Sequence, residues 1–137
     1  MLDQLNPHFR LLAKAPPASE VEIEMILSRY QNVPLQFLEL IREATSIEIQ
    51  HVNGIYLRFW GPMGSIEMDD AYGISERIIG AIPIGDDGGG RVVFYMGGKN
   101  EFGIYAVGFG DLDADDAIWI VSSLGELLQQ AKGIEAF

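Results

Sequence analysis

The segment spanning residues 82–95 reads Ile-Pro-Ile-Gly-Asp-Asp-Gly-Gly-Gly-Arg-Val-Val-Phe-Tyr and carries the strongest structural signal in the chain. A short apolar segment precedes a predicted glycine-rich turn at residues 85–90, which contains two aspartates, and a predicted β-strand follows over residues 91–96. Glycine permits positive φ angles and close backbone approach, and β-branched and aromatic residues are typical of a central strand. The glycines predicted to shape this turn are Gly85, Gly88, Gly89 and Gly90.

Four further segments share the composition of β-strands. Residues 46–52 alternate apolar and polar side chains, and residues 55–60 do the same after Asn53-Gly54, a pair that favours a type I′ hairpin turn. Residues 102–109 and 117–121 follow the central segment, and the hairpin turn predicted between the central strand and the first of these covers residues 97–100. We therefore predict a mostly antiparallel, curved sheet of about five strands.

Helix signals flank these strands on both sides. Ser19 lies three residues before Glu22 and Ser123 three residues before Glu126, which is the spacing of a capping box. The predicted helices are a short one after Asn6-Pro7, a hairpin of two over residues 19–30 and 34–45, a short one from Ser65 to Tyr72, and a closing one at the end of the chain. The pattern predicts a single α+β domain over residues 1–137, with an N-terminal helix pair and a short C-terminal helix.

Composition excludes several classes of protein. The hydrophobic fraction of 48% argues against disorder, and the absence of cysteine excludes disulfide scaffolds, cysteine nucleophiles and thiolate zinc sites. No apolar run reaches about 18 residues, so no membrane span is predicted. The first residues lack the pattern of a signal peptide, and we expect a cytoplasmic protein. The net charge of −11, from 20 acidic and 9 basic residues, disfavours nucleic acid. Such a charge either keeps the protein in solution or attracts a basic partner, and charge alone favours the first interpretation.

Motifs for catalysis or cofactor binding are incomplete. A phosphate-binding loop follows a strand and opens a helix, whereas the loop at residues 85–90 opens a strand and contains two aspartates. Asp111, Asp113 and Asp115 match the first ligands of a calcium loop, but Asp116 stands where glycine is required. His8 and His51 are far apart in sequence and predict no zinc site. We expect no enzyme activity, no metal and no cofactor.

Two segments resemble the SUKH superfamily, the Smi/Knr-like proteins. Pro83-Ile-Gly-Asp-Asp-Gly-Gly-Gly90 before an apolar strand is similar to the family's signature, and Val33-Pro-Leu-Gln-Phe-Leu-Glu-Leu-Ile-Arg42 is similar to its Leu-Pro helix. Their order also fits, over roughly residues 19–130. The chain departs from the pattern after the second helix, where Ala44-Thr-Ser-Ile47 replaces the usual glycine-rich turn.

The resemblance implies a protein-binding function. Many family members are immunity proteins that neutralise bacterial toxins, often nucleases, and fungal relatives act in cell-wall signalling. We therefore expect a partner that is a basic toxin domain, with a regulatory or scaffold protein as the alternative and a small-ligand binder using the Gly85–Gly90 loop as a third. The predicted binding surface combines acidic side chains with two aromatic anchors: Asp86, Asp87, Asp111, Asp113, Asp115, Asp116, Trp60 and Tyr72.

Overall fold

The computed structural model describes residues 1–97 and 101–137 of the chain. Within these residues, seven strands form one sheet in which every strand pairs antiparallel with the next in sequence. The strands are β1 (Phe9–Lys14), β2 (Ser46–His51), β3 (Tyr56–Trp60), β4 (Ile82–Asp86), β5 (Arg91–Met96), β6 (Gly103–Gly108) and β7 (Ile118–Val121). The α+β class and the antiparallel sheet are confirmed, but the predicted strand number of about five was too low.

Five α-helices lie among the described residues: α1 (Glu20–Arg29), α2 (Leu35–Glu43), α3 (Pro62–Tyr72), α4 (Ile74–Arg77) and α5 (Leu124–Gln130). The capping box at Ser19 is confirmed, because its hydroxyl accepts from the Glu22 amide while the Glu22 carboxylate accepts from the Ser19 amide. The predicted helix hairpin is not the main packing arrangement, since α1 packs chiefly against α3, and α2 packs against α5.

The central strands are buried on both faces, which explains the continuous apolar run in β5. Val93 and Tyr95 point into one apolar cluster together with residues of α1, α2 and α5. Val92, Phe94 and Met96 point into a second cluster on the opposite face, which α4 helps to cover. Strands enclosed in this way lose the apolar-polar alternation that marks a half-exposed strand.

The segment after Asn6-Pro7 forms strand β1, so the short helix predicted there was wrong. The Asn6 side chain accepts a hydrogen bond from the His8 amide at 3.0 Å, and the Asn6 carbonyl accepts one from the Phe9 amide at 2.9 Å. This turn places Phe9 opposite His51, where β1 pairs with β2. Asparagine favours such local turns as much as helix caps, and the open sheet edge decides the outcome.

Two connections also differ from the predictions. In the β2–β3 turn, Gly54 has a φ of +96° while Asn53 keeps an ordinary φ, so the turn is not type I′. Helix α3 begins at Pro62, with Gly61 as its N-cap, and the predicted cap Ser65 is a fully buried residue inside the helix. The turn predicted at residues 97–100 falls mostly outside the described residues.

Candidate functional site

Three connections meet at one end of the sheet, because successive turns of an antiparallel meander alternate between its two ends. They are the β2–β3 turn, the β4–β5 turn and the β6–β7 loop. The Phe109 amide donates to the Gly90 carbonyl at 2.9 Å, and Arg91 pairs with Gly108 across β5 and β6. The fold therefore brings the two acidic segments of the sequence, residues 86–87 and residues 111–116, to the same end.

Asp86 lies inside the protein and not on the predicted binding surface. It is 5% exposed. One of its oxygens accepts from Arg58 Nε at 3.0 Å and from Trp60 Nε1 at 2.9 Å, and the other accepts from the Gly88 amide at 2.8 Å. A buried carboxylate needs such donors, since burying an unpaired charge is costly. Asp86 is therefore a structural residue that joins β3 to the β4–β5 turn.

Asp87 organises the turn in the same way. Its Oδ1 accepts from the Gly89 amide at 2.8 Å and from the Arg91 amide at 3.0 Å, and its Oδ2 lies 3.7 Å from Arg91 Nε. Asp86 and Asp87 together engage the amides that a phosphate-binding loop would offer to its ligand. The geometry supports the interpretation of this segment as a tight turn.

The predicted turn glycines divide into two groups. Gly88, Gly89 and Gly90 lie in the turn, whereas Gly85 lies within β4, next to a shift in the register with β5. A Cβ on Gly85 would lie 2.1 Å from the Arg58 carbonyl oxygen, so close approach of two strands requires glycine there. Gly88 has a φ of +70°, and a Cβ would meet the Tyr56 ring at 2.8 Å.

The four aspartates of the β6–β7 loop are exposed, in contrast to Asp86. We call residues 111–116 the acidic loop. Its last three residues form a short 3-10 turn, Ala114–Asp116, and the Asp113 side chain caps it by accepting from the Asp115 amide at 2.9 Å. Leu112 and Ala114 pack against the second apolar cluster. The loop is thus anchored at its apolar positions while Asp111, Asp113, Asp115 and Asp116 face solvent.

The acidic loop does not have the form of an EF-hand. Strands β6 and β7 flank it, where the calcium loop of that motif lies between helices. Among residues 1–97 and 101–137, no group of three or more histidine, aspartate or glutamate side chains is arranged to hold a metal ion.

The two predicted aromatic anchors have different environments. Trp60 is 7% exposed and donates its indole N–H to Asp86, so it cannot serve as a surface anchor. In β3, Trp60 lies on the face opposite to Leu57 and Phe59, and the second apolar cluster covers that face. Tyr72 is 46% exposed, and its ring lies 4.6 Å from that of Phe109, directly before the acidic loop.

The sequence did not identify the side chains that donate hydrogen bonds to the carboxylates of Asp86 and Glu48. Arg58 stands opposite Asp86 in the β3–β4 register. Tyr56, two residues earlier on the same face, donates its hydroxyl to Glu48. Burial, together with that hydrogen bond, raises the pKa of Tyr56 to about 12. The alternation within β3 was a usable signal for this face, but the pairing of β3 with β4 was needed to identify Asp86 as its partner.

No protein-family model matches the chain, and no curated protein matches it. The resemblance to the SUKH superfamily therefore rests on the two segments described above. In the described part of the chain, no helix combines the length and the apolar character needed to cross a membrane.

Proposed function

We propose that this protein is a non-enzymatic binding module that neutralises a basic, nuclease-type toxin through direct contact with the acidic loop. The observation that carries the proposal is the exposure of four aspartates within six residues, on a loop held in place by the core. Nucleases that bind phosphate backbones present basic surfaces, which such a loop complements.

Asp111 and Asp116 of the acidic loop form no ion pair with any described residue. Asp111 and Asp116 line a small cleft of about 280 Å³ with Arg91, whose guanidinium already lies near Asp87. The net charge of the chain adds a long-range field of the same sign. Complementary fields of this kind accelerate association by about 10- to 1000-fold and select against partners of like charge.

Preorganisation favours this loop over other acidic positions. Loops that are already ordered lose less conformational entropy on binding. The cap at Asp113 and the packing of Leu112 fix the loop backbone before a partner arrives. Tyr72 adds an exposed aromatic side chain next to the acidic residues, and tyrosine is enriched among residues that dominate binding energies.

The alternatives differ in the partner they predict. A regulatory or scaffold protein would bind host proteins without inhibiting a nuclease. A small-ligand binder at the Gly85–Gly90 loop would need free backbone amides, and the carboxylates of Asp86 and Asp87 already accept from several of them.

The test is an affinity capture from the source cells at low salt, eluted with rising salt and analysed by mass spectrometry. The bait is compared with two variants that each lose four negative charges. One changes Asp111, Asp113, Asp115 and Asp116 to Asn, which preserves the cap at position 113. The other changes the exposed Glu24, Glu39, Glu67 and Glu76 to Gln.

We expect the wild type and the glutamate variant to capture the same basic protein, and the aspartate variant to lose it. Stoichiometric inhibition of the purified partner's nuclease activity would then support the immunity function. Capture of the same protein by all three baits would contradict the proposed surface. Capture of a host protein without nuclease activity would favour the scaffold alternative.

A further inference from the structure

A second candidate site lies where β1 begins and β2 ends. Here the structure has a cavity of about 560 Å³, lined by residues that include His8, Phe9, Arg10, Gln50 and His51. Most of the residues that line it are exposed, so it is an open groove, and its volume is of the order found for small-molecule sites, about 300–1,000 Å³. We call this cavity the histidine pocket.

Both histidines of the chain line this pocket although they are far apart in sequence. Pairing of Phe9 with His51 in the sheet brings the two imidazoles to a centroid separation of 5.9 Å, with the rings nearly perpendicular. The Phe9 ring lies 5.2 Å from that of His51. Phe9 belongs to the buried apolar cluster, so the two imidazoles are the rings that a ligand can reach, and their faces and edges suit another flat ring.

The pocket is also lined by an arginine, Arg10. Arg29, Arg42, Arg58 and Arg91 each form an ion pair with a carboxylate, whereas Arg10 forms none with any described residue. Among residues 1–97 and 101–137, no aspartate or glutamate lines the pocket. Although the chain has a net charge of −11, an anion in this pocket would lie near a guanidinium and near no carboxylate of the described residues. Salt at physiological concentration screens the acidic side chains farther away.

The hydrogen bonding of His51 favours an anion over a metal ion. Its Nδ1 accepts from the Asn53 amide at 3.1 Å. Because the accepting nitrogen carries no hydrogen, the neutral ring has its N–H at Nε2, and this nitrogen is a donor. A metal ion requires an unprotonated nitrogen, whereas a phosphate or carboxylate accepts from an N–H.

We infer that the histidine pocket binds a small organic anion that carries a flat ring, with Arg10 holding the anionic group. This site is separate from the acidic loop and does not depend on the proposed function.

Adenosine monophosphate is a suitable probe, because it combines a flat ring with a phosphate. Imidazole resonances in a ¹H–¹⁵N spectrum provide the readout, since two histidines give two assignable sets. The titration is repeated with adenosine, with inorganic phosphate and with zinc chloride. The variants are Arg10→Gln, His8→Ala and, as a control, Arg77→Gln, which changes another arginine that forms no ion pair among the described residues.

We expect adenosine monophosphate to shift the signals of both histidines with half-saturation at about 1 mM or below. Arg10→Gln should weaken this binding about tenfold, as expected for loss of a charge-assisted hydrogen bond, while Arg77→Gln stays within about twofold. Adenosine and phosphate should each bind more weakly than the combined probe. Equal binding of either one, tight binding of zinc alone, or unshifted histidine signals would overturn the inference.

Discussion

The β4–β5 turn and the acidic loop lie side by side at one end of the sheet and carry the same kind of side chain, but they use it in opposite ways. In the turn, Asp86 and Asp87 accept hydrogen bonds from backbone amides and from nearby arginine and tryptophan side chains. In the loop, the aspartates face solvent. The difference shows that the donors a fold supplies, and not the carboxylates themselves, decide whether an acidic side chain is buried or left exposed.

The largest expected effect on stability comes from removing the buried carboxylate of Asp86. Asp86→Ala leaves the Trp60 and Gly88 donors without their acceptor and Arg58 without its ion-pair partner. We expect a loss of about 3 kcal/mol in the free energy of unfolding, measured by urea denaturation. If that variant does not fold, Asp86→Asn, which keeps one acceptor oxygen, should show a smaller loss.

The matched change in the acidic loop is Asp116→Ala, an exposed aspartate that forms no ion pair among the described residues. It should alter the free energy of unfolding by less than about 0.5 kcal/mol. Similar losses for Asp86→Ala and Asp116→Ala would remove the distinction between the two segments.

A smaller effect is expected from adding a methyl group where the strands approach. The Cβ introduced by Gly85→Ala would lie 2.1 Å from the Arg58 carbonyl oxygen, so β3 and β4 must separate. We expect a loss of about 2 kcal/mol in the free energy of unfolding. Gly110→Ala, beside the acidic loop, has nothing within 4 Å of the new Cβ and should be nearly neutral. A tolerated Gly85→Ala would mean that the sheet is less closely packed beside the turn than described.

The smallest effect concerns Tyr56, which packs against Gly88 of the turn. Burial and the Glu48 hydrogen bond raise its pKa to about 12, from an ordinary value near 10. The folded state therefore keeps its proton longer than the unfolded state does. This contribution to stability is complete below pH 10 and is lost as the pH rises through 12.

Between pH 10 and pH 11, the wild type should lose about 1 kcal/mol more of its free energy of unfolding than Tyr56→Phe does. Burial also raises the pKa of Tyr95, but Tyr95 contributes equally to both proteins. Identical pH dependence in both would show that Tyr56 is not shielded by the turn.

The elements that could be predicted from the sequence are those with local signals. The glycine-rich turn and the apolar composition that follows it predicted β5, and the spacing of Ser19 and Glu22 predicted the start of α1. The sequence also placed Asp111, Asp113, Asp115 and Asp116 on the protein surface, and they are exposed, because four aspartates in six residues cannot all be buried.

The parts that could not be predicted depend on partners distant in sequence. Strand β1 exists because β2 offers an edge to Phe9, although Asn6-Pro7 is typical of a helix start. Asp86 and Asp87 are adjacent and identical in sequence, and only the register of β3 with β4 sends Asp86 toward Arg58. The apposition of His8 and His51 follows from the same unpredicted strand.

The association rate with the captured partner, measured by stopped flow at about 50 mM and about 500 mM salt, tests the central claim most directly. At the lower salt concentration, changing Asp111, Asp113, Asp115 and Asp116 to Asn should slow association about tenfold, whereas changing Glu24, Glu39, Glu67 and Glu76 to Gln should slow it much less. At the higher concentration the three proteins should converge, because salt screens the loop charges. Equal slowing by the two sets of changes would contradict the assignment of the acidic loop as the binding surface.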